Sequence, residues 1–206
     1  MYPGVAIIDY GMGNLHSVYK KLSGLKVRAI MATTPAEVLK ADKIILPGVG
    51  HFGKAMQNLK NLGIYDSLNE AVLVKKTPIL GICLGMQLMA NESEEGNEPG
   101  FGWINARVVK FRIQNQLKYK VPQTGWNSIN ICKESSLLTN IENQSEFYFL
   151  HSYCYEGTEP VDRLTTTEFE YEYVSAVQKD HIFGTQFHPE KSHQQGLQLL
   201  KNFIQI

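Results

Sequence analysis

Short, almost wholly apolar segments alternate with amphipathic ones along the first half of the chain, and this alternation constrains the fold most strongly. The apolar segments are residues 5–8, 27–31, 43–46 and 78–82. Helical spacing follows at residues 14–22, 52–76 with a break near Gly63, and 84–90, and Thr34-Pro35 begins a further short helix. Strands without a polar face are typical of a parallel sheet that helices cover on both faces.

The second half has a different pattern. Apolar and polar residues alternate at residues 106–113, 146–150 and 174–179, which predicts antiparallel strands. Residues 182–187 indicate one more buried strand, and residues 194–204 have the spacing of a closing helix. We therefore expect an α/β fold, with a mostly parallel central sheet, helices on both faces and antiparallel additions. No repeat or linker divides the chain, so we expect a single domain over residues 1–206.

Composition excludes several classes of protein. Hydrophobic residues make up 43% of the chain and charged residues 19%, with a formal net charge of zero, which argues against disorder and against nucleic-acid binding. No segment approaches the ~20 apolar residues that a membrane span needs. The three cysteines form no CxxC pair, and Met1-Tyr2-Pro3-Gly4 begins no charged leader. We expect a reduced, cytoplasmic protein without a membrane or nucleic-acid partner.

Gly81-Ile82-Cys83-Leu84-Gly85 places a cysteine between a predicted strand and a predicted helix. Such a G-x-C-x-G elbow lifts a nucleophile out of the sheet on a tight turn, and its glycines remove side-chain clashes. The N–H groups of the following helix favour a thiolate, and the Leu84 amide offers an oxyanion site. An isolated buried cysteine is more often a core residue, but the glycine spacing favours a nucleophile.

Gln186-Phe187-His188-Pro189-Glu190 follows the last predicted strand. His188 reaches the Cys83 sulfur if the two strands are neighbours, and Glu190 would then bind the other ring nitrogen and fix its tautomer. Taken alone, a His-Pro-Glu sequence is more often a surface loop. Together with the elbow, it predicts a catalytic base and the group that orients it.

Leu46-Pro47-Gly48-Val49-Gly50 follows the third strand. Its glycines let the backbone approach a ligand, and one of its N–H groups would complete an oxyanion hole. A plain strand-ending turn is the alternative interpretation of this motif.

With these motifs in this order, the chain resembles the class I (triad-type) glutamine amidotransferases over nearly its whole length. Several segments resemble, more narrowly, the glutaminase subunit of imidazole glycerol phosphate synthase. They are Ile8-Asp9-Tyr10-Gly11-Met12-Gly13-Asn14-Leu15, Pro47-Gly48-Val49-Gly50, Gly125-Trp126-Asn127, His151-Ser152-Tyr153 and the stretches around Cys83 and His188.

The resemblance implies a role for each matching residue. The catalytic triad would be Cys83, His188 and Glu190, and the oxyanion would lie at Gly50 and Leu84. Glutamine would be held by Gly50, Gln87, Glu94, Ser152 and Tyr153, and a partner would face Asp9, Asn14, Trp126 and Asn127. The resemblance implies no cofactor and no metal.

The resemblance also implies a heterodimer with a barrel-shaped cyclase (HisF-type) subunit. In that family, ammonia released from glutamine passes through the barrel and is used to make imidazole glycerol phosphate and an aminoimidazole ribotide for histidine biosynthesis. The resemblance also implies that substrate at the partner activates the glutaminase. A Gly48-Val49 peptide that turns its N–H toward the oxyanion is the switch we expect.

Two departures keep alternatives open. Pro122-Gln123-Thr124-Gly125-Trp126-Asn127 stands where the family usually has Pro-His-Met-Gly-Trp-Asn, and Gly100-Phe101-Gly102-Trp103 replaces a more usual Gly-Leu-Gly-Leu. One alternative is a paralogous amidotransferase that supplies ammonia for amination of a surface-polysaccharide sugar. Others are a partner-independent elbow-cysteine hydrolase and a cysteine redox sensor, although a sensor has no need of His188 and Glu190. The other histidines lack metal-ligand spacing, so no metal site is expected.

Overall fold

A computed structural model describes residues 4–206, so the interpretation of Met1 to Pro3 lies outside the described residues. The strands are β1 (Val5–Ile8), β2 (Ala29–Ala32), β3 (Lys43–Gly48), β4 (Ile79–Cys83), β5 (Glu92–Ser93), β6 (Glu98–Pro99), β7 (Arg107–Lys110), β8 (Gln123–Ser128), β9 (Asn130–Ile131), β10 (Glu146–His151), β11 (Tyr153–Glu156), β12 (Arg163–Phe169), β13 (Tyr171–Lys179) and β14 (Ile182–Thr185). The α-helices are α1 (Leu15–Gly24), α2 (Pro35–Leu39), α3 (Phe52–Asn61), α4 (Ile64–Asn69), α5 (Leu84–Gln87) and α6 (His193–Gln205). A π-helical turn lies at Glu70–Val74, and 3₁₀ turns lie at Ser136–Leu138, Pro160–Asp162 and Pro189–Lys191.

Within residues 4–206, twelve strands form one mixed sheet. The strands β2-β1-β3-β4-β14 are parallel neighbours, and β13, β11 and β7 extend the sheet with antiparallel pairs. The short β5 and β6 complete this edge, while β12 and β9 pair beside β13. The strands β8 and β10 form a separate antiparallel pair. The predicted parallel sheet with antiparallel additions is confirmed.

Alternate residues of the parallel strands pack into two hydrophobic cores, one on each face of the sheet. Ala6 and Ile8 of β1 pack in the core that α2, α3 and α4 cover. Val5 and Ile7 pack in the core that includes the buried faces of α1 and α6. This arrangement explains why the strand lacks polar residues, because each of its side chains enters an apolar layer.

Local signals set several element boundaries. Thr34 caps α2 in a capping box with Glu37, as the Thr34-Pro35 signal predicts. The long helical segment is divided at Gly63 into α3 and α4, as predicted, and it continues into the π-helical turn. The helix after Cys83 is shorter than predicted and ends at Gln87. No helix in residues 4–206 has the length and apolar content that crossing a bilayer requires.

The carboxyl ends of the parallel strands meet at one edge of the sheet. Gly48 at the end of β3 is paired in register with Cys83 at the end of β4. Thr185 at the end of β14 is paired with Ile82, and the chain then continues to His188. The strands that precede Cys83 and His188, β4 and β14, are therefore neighbours, as a contact between these two residues requires. Ligands bind at this edge in open α/β sheets.

Candidate active site

Cys83 lies at a strained turn between β4 and α5. Its backbone has φ 54° and ψ −108°, a conformation that is costly for a residue with a side chain and typical of nucleophile elbows. A Cβ on Gly81 would lie 2.7 Å from backbone atoms of Gly85, and a Cβ on Gly85 would overlap the carbonyl oxygen of Leu46. Both glycines of the motif are therefore needed for the helix to pack against the sheet at this turn.

The Cys83 sulfur lies between two polar atoms. The carbonyl oxygen of Leu150 is 3.7 Å from Sγ, and Nε2 of Gln186 is 3.6 Å from it. Only 5% of Cys83 is exposed. The sulfur is consequently shielded from bulk water but has both an acceptor and a donor beside it.

His188 and Glu190 form a buried pair beside the elbow. His188 Nδ1 lies 2.8 Å from Glu190 Oε1, and the side chains are 1% and 3% exposed. His188 Nε2 and the second Glu190 oxygen are buried without a hydrogen-bond partner. Burial lowers the pKa of His188, but the neighbouring Cys83 sulfur and the Glu190 carboxylate outweigh burial and raise this pKa to about 9. The ring is therefore cationic near neutral pH.

The backbone of His188 is tied to β10. Its N–H donates to the carbonyl oxygen of Tyr148 at 2.9 Å, and its own carbonyl oxygen accepts from Ser192 Oγ at 2.6 Å. Ser192 Oγ in turn accepts from the Tyr148 N–H at 3.0 Å. The position of the ring therefore depends on β10 as well as on β14.

Two backbone segments flank Cys83 where an oxyanion would form. Gly50 has φ +122°, and a Cβ there would lie 2.6 Å from Cε of Met12. Leu84 is the first residue of α5, so no helix hydrogen bond uses its N–H. The loop that leaves β3 through Gly48 and the first amide of α5 thus lie on adjacent strand ends, with Cys83 between them.

Gln87 connects the elbow to the segment that joins β10 to β11. Its Nε2 donates to the carbonyl oxygen of Tyr153 at 3.0 Å and to Oε1 of Gln186 at 3.0 Å. Both amide hydrogens are used by the protein, so only the Gln87 carbonyl oxygen is left to receive a ligand.

A second buried polar network lies next to this segment. His151 Nδ1 is 2.8 Å from the Tyr153 carbonyl oxygen, and Nε2 is 3.2 Å from the Tyr173 hydroxyl. The same hydroxyl lies 2.9 Å from Oε1 of Gln123 on β8. Burial lowers the pKa of His151 to about 3, so this ring is neutral near neutral pH, in contrast to His188.

The family model of the class I glutamine amidotransferases matches residues 6–206. The chain belongs to this family. Relatives named imidazole glycerol phosphate synthase subunit HisH include one from Methanococcus maripaludis (HisH 2), which is 50% identical over 97% of this chain and 98% of its own length. HisH 1 of Campylobacter jejuni is 47% identical over 98% of this chain and all of its own length, and HisH of Leptospira borgpetersenii is 43% identical over the same shares.

Solved structures share the fold at lower identity. A glutamine amidotransferase crystal structure superposes with a TM-score of 0.76 at 17% identity and covers 98% of each chain. The glutaminase domain of Trypanosoma brucei CTPS, with bound acivicin, gives a TM-score of 0.66 at 16% identity, over all of this chain and 94% of that one. These likenesses confirm the predicted fold class, and the family match and the relatives confirm the enzyme class and the HisH-type resemblance.

In this amidotransferase, two consecutive glutamates have different surroundings. The carboxylate of Glu94, which the sequence singled out, accepts from the Lys110 N–H at 3.0 Å and pairs with Arg112 at 2.9 Å. Glu95 instead accepts a hydrogen bond at 2.8 Å from the first N–H of α3. Burial raises the pKa of Tyr153, and the Glu95 carboxylate raises it further, ahead of Glu94. The Glu95 carboxylate is therefore bound at the start of α3, whereas that of Glu94 is paired with Arg112.

The four residues predicted to face the partner of the amidotransferase lie at or beside the carboxyl edge of the parallel strands. Asp9 follows β1 and accepts from the Gly11 N–H, and Asn14 caps α1. Asn127 on β8 donates to a carbonyl oxygen of β12 at 2.9 Å. Trp126 is 45% exposed, and its ring stacks on His193 with a centroid distance of 4.9 Å. Of the four, Trp126 offers the large exposed apolar surface.

Other potential ligands are dispersed. Within residues 4–206, no three His, Cys, Asp or Glu side chains are grouped to hold a metal ion. All three cysteines are free thiols; Cys132 is exposed, whereas Cys154 is buried among core residues.

Proposed function

We propose that this chain is the glutaminase subunit of an imidazole glycerol phosphate synthase and uses a Cys83, His188 and Glu190 triad. The observation that carries the proposal is the meeting of the Cys83 elbow and the buried His188–Glu190 pair at the ends of adjacent parallel strands. Relatives of matching length carry the HisH name. A cytoplasmic location fits free thiols and histidine biosynthesis.

In the first half-reaction, the Cys83 thiolate attacks the side-chain carbonyl carbon of glutamine. The C–N bond then breaks, and the imidazolium of His188 gives its proton to the departing nitrogen, so that ammonia leaves and a thioester remains. Because the pKa of His188 is raised, its ring carries this proton near neutral pH, and Glu190 holds the ring through Nδ1.

In the second half-reaction, neutral His188 takes a proton from water, and the resulting hydroxide attacks the thioester carbonyl. The C–S bond breaks, glutamate leaves, and the thiolate and imidazolium are restored. The oxyanion of each tetrahedral intermediate would be stabilised by N–H groups at Gly50 and Leu84.

Glutamine would be held between α5 and the segment that joins β10 to β11. Gly50, Ser152 and Tyr153 would supply backbone groups there, and Gln87 would supply its side-chain carbonyl oxygen, since both hydrogens of its amide are used by the protein. For the substrate amino group we propose Glu95 rather than Glu94. The Glu94 carboxylate is already paired with Arg112, whereas Glu95 accepts a backbone hydrogen bond at the start of α3 and its charge raises the pKa of Tyr153.

The proposed partner is a barrel-shaped cyclase subunit (HisF-type) that receives ammonia. Asp9, Asn14, Trp126 and Asn127 would form part of the contact surface, with the Trp126 ring as its main apolar element. Partner binding at this surface would affect the position of His188 through β8 and β10. The carbonyl oxygen of Tyr148 on β10 accepts from the His188 N–H, and the Tyr148 N–H donates to Ser192 at the end of the same turn.

We propose the Gly48-Val49 peptide as the activation switch. It joins β3 to the positive-φ Gly50, and Val49 is exposed beside the substrate edge. Rotation of this peptide would aim an N–H at the oxyanion when the partner binds its own substrate.

A second candidate is a paralogous subunit that supplies ammonia for amination of a surface-polysaccharide sugar. The observation that favours it is local to β8. Gln123 and Thr124 stand where the family usually has histidine and methionine, and this strand carries Trp126. The chemistry at Cys83 would be the same, but the partner would differ.

The experiment measures glutamate release from glutamine by the purified chain, alone and with the co-encoded barrel protein plus an imidazole-pathway ligand. Cys83→Ala removes the nucleophile, and Cys132→Ala, at an exposed thiol, is the matched control. Stimulation by the ligand that Cys83→Ala abolishes supports the histidine-pathway subunit. Cys83-dependent release that ignores the ligand supports the second candidate. No release with any partner rejects both.

A further inference from the structure

A continuous chain of hydrogen bonds runs from the Tyr153 carbonyl oxygen to the Cys83 sulfur through two buried amides. Gln87 Nε2 donates to the Tyr153 oxygen and to Gln186 Oε1, each at 3.0 Å, and Gln186 Nε2 lies 3.6 Å from Cys83 Sγ. Gln87 is 4% exposed and Gln186 is fully buried. Water is therefore no substitute for any of these contacts.

The polarity of this chain is set at its first atom. A carbonyl oxygen only accepts, so Gln87 must present its NH₂ group to Tyr153. The second hydrogen of that group points to Gln186, which must therefore present its oxygen. The Gln186 NH₂ group is left to face the sulfur. Reversing either amide would bring two acceptors or two donors together in a buried site, which is costly.

The two neighbours of the sulfur suit different protonation states. A thiol donates its hydrogen to the Leu150 carbonyl oxygen at 3.7 Å. A thiolate has no hydrogen to donate and gains nothing from that oxygen, but it accepts an N–H from Gln186. Hydrogen bonds to a charged acceptor are about twice as strong as neutral ones. The N–H of Gln186 therefore favours the anion selectively.

We propose that Gln186 is a further catalytic residue, which donates a hydrogen bond to the Cys83 thiolate and is aimed by Gln87. The proposal rests on the assigned role of Cys83 as nucleophile. In the first half-reaction the bond maintains the thiolate that attacks. In the second it stabilises the thiolate that leaves when the C–S bond breaks, so Gln186 acts on both steps without exchanging a proton.

The test is the pH dependence of Cys83 alkylation by iodoacetamide, followed by mass spectrometry of the Cys83 peptide in the full-length chain. Only the thiolate reacts, so the midpoint of the rate profile between about pH 5 and about pH 9 reports thiolate formation. The other titratable groups that face Cys83 are the His188–Glu190 pair, Tyr10 and Tyr173. Burial raises the pKa of both tyrosines, so they stay neutral, and the midpoint belongs to the Cys83–His188 pair.

Gln186→Met keeps the length of the side chain and removes the donor. We expect the midpoint to rise by about one pH unit, with an alkylation rate at the high-pH plateau that is equal to or above that of the wild type. Thr185→Val is the matched control, because it removes a neighbouring buried hydroxyl, which donates to the Phe187 carbonyl at 3.1 Å, and does not touch the sulfur. The control should keep the wild-type midpoint.

An unchanged midpoint in a folded Gln186→Met protein overturns the proposal, as does an equal rise in the Thr185→Val control. If Gln186→Met does not fold, Gln87→Met removes the hydrogen bond from Gln87 to Gln186 and tests whether that bond aims the Gln186 amide. It leaves Gln186 free to turn, and the midpoint should rise by a smaller amount; no rise rejects the proposal. Alkylation needs no turnover, so failure of this inference in a glutaminase-active chain leaves the proposed function intact. A wild-type chain that shows no Cys83-dependent glutamate release with any partner rejects the proposed function itself.

Discussion

His188 Nδ1 and Glu190 Oε1 lie 2.8 Å apart with only Pro189 between them in the chain, and both side chains are buried. A carboxylate held this close stabilises the imidazolium and fixes which ring nitrogen faces the sulfur. The Glu190 contact therefore sets both the protonation state and the direction of the base, and the two effects are separable by experiment.

Glu190→Gln removes the charge that helps to raise the pKa of His188 to about 9. The active pair needs a protonated His188, so glutaminase activity should fall as the pH rises through about 9 in the wild type. In the variant the basic limb should move to lower pH, and kcat/KM should fall by about 10²–10⁴-fold. The measurement is the pH profile of partner-stimulated glutamate release. Glu146→Gln, at an exposed position on β10, should match the wild type; a variant with an unmoved basic limb contradicts the role of Glu190.

Gly85→Ala should destabilise the fold, because a Cβ at this position would overlap the Leu46 carbonyl oxygen in the adjacent strand. We expect the free energy of unfolding to fall by about 3 kcal/mol or more, as for severe overpacking. Gly24→Ala is the control, since a Cβ there meets no atom within 4 Å, and it should stabilise the end of α1 by up to about 1 kcal/mol. Urea unfolding of the three proteins compares them. A Gly85→Ala protein as stable as the wild type would show that the elbow tolerates a side chain.

Gly50→Ala should impair stimulated glutaminase activity more than glutamine binding. The φ of +122° at Gly50 is outside the range that alanine adopts without strain, so the loop would no longer present its N–H to the oxyanion. Activity should fall by about 10²-fold or more. Glutamine affinity, measured in a Cys83→Ala background to prevent turnover, should change far less. Gly157→Ala, at φ +75° with open space around it, controls for positive-φ strain alone. Equal losses in activity and binding would reject the switch.

Trp126→Ala should weaken binding of the barrel partner without altering alkylation of Cys83. Loss of a large, exposed aromatic ring at an interface typically costs on the order of 2 kcal/mol, so the Kd should rise about 30-fold. Val74→Ala is the control, because Val74 is 75% exposed but precedes β4 at the opposite end of the sheet from Cys83. Isothermal titration with the partner gives both affinities. An unchanged Kd for Trp126→Ala would show that the partner binds a different surface.

Acid should destabilise the protein through His151. The pKa of this histidine is 6.5 in an unfolded chain and about 3 in the buried site, so the folded state holds a neutral ring. This stabilisation is complete above pH 6.5 and is lost as the pH falls toward 3, on the order of 3 kcal/mol by about pH 4. His151→Gln should flatten the decline in unfolding free energy over this interval, whereas His16→Gln, at an exposed site, should retain it. An unchanged slope in His151→Gln would show that the ring is not held neutral.

The parallel half of the sheet was predictable because its strands are buried on both faces and therefore have almost no polar residues. The strands β8, β11 and β12 and the two-residue strands β5, β6 and β9 were not predicted. β8 contains glycine and asparagine, and β12 is rich in threonines whose hydroxyls bond to groups on neighbouring strands, as for Thr165 with Ser175 at 2.8 Å and Thr167 with the Ser128 carbonyl at 3.1 Å. Their strand conformation depends on tertiary pairing, which local propensity does not encode.

At the site, the sequence located Cys83 and His188 because a motif marks each of them. It selected Glu94 for the substrate amino group, whereas our proposal takes Glu95, because the partners that differ between these adjacent carboxylates, Arg112 and the start of α3, are seen only in the fold. Gln186 was included in an apolar strand segment, and its contact with the sulfur became visible only with the position of Gln87. Residues that act through other side chains leave no spacing signal in a single sequence.

In the β8–β10 pair, partner contact and catalysis use different kinds of groups: side chains on one strand and main-chain atoms on the other. Trp126 and Asn127 of β8 belong to the proposed contact surface, whereas β10 offers main-chain atoms to the reaction: the Leu150 carbonyl beside the sulfur and the Tyr148 peptide groups at the His188 turn. Substitution changes side chains and spares peptide groups. Exposed β8 positions such as Thr124 and Trp126 are therefore open to exchange without change to the hydrolytic groups, whereas Gln123 is held in the buried network with Tyr173.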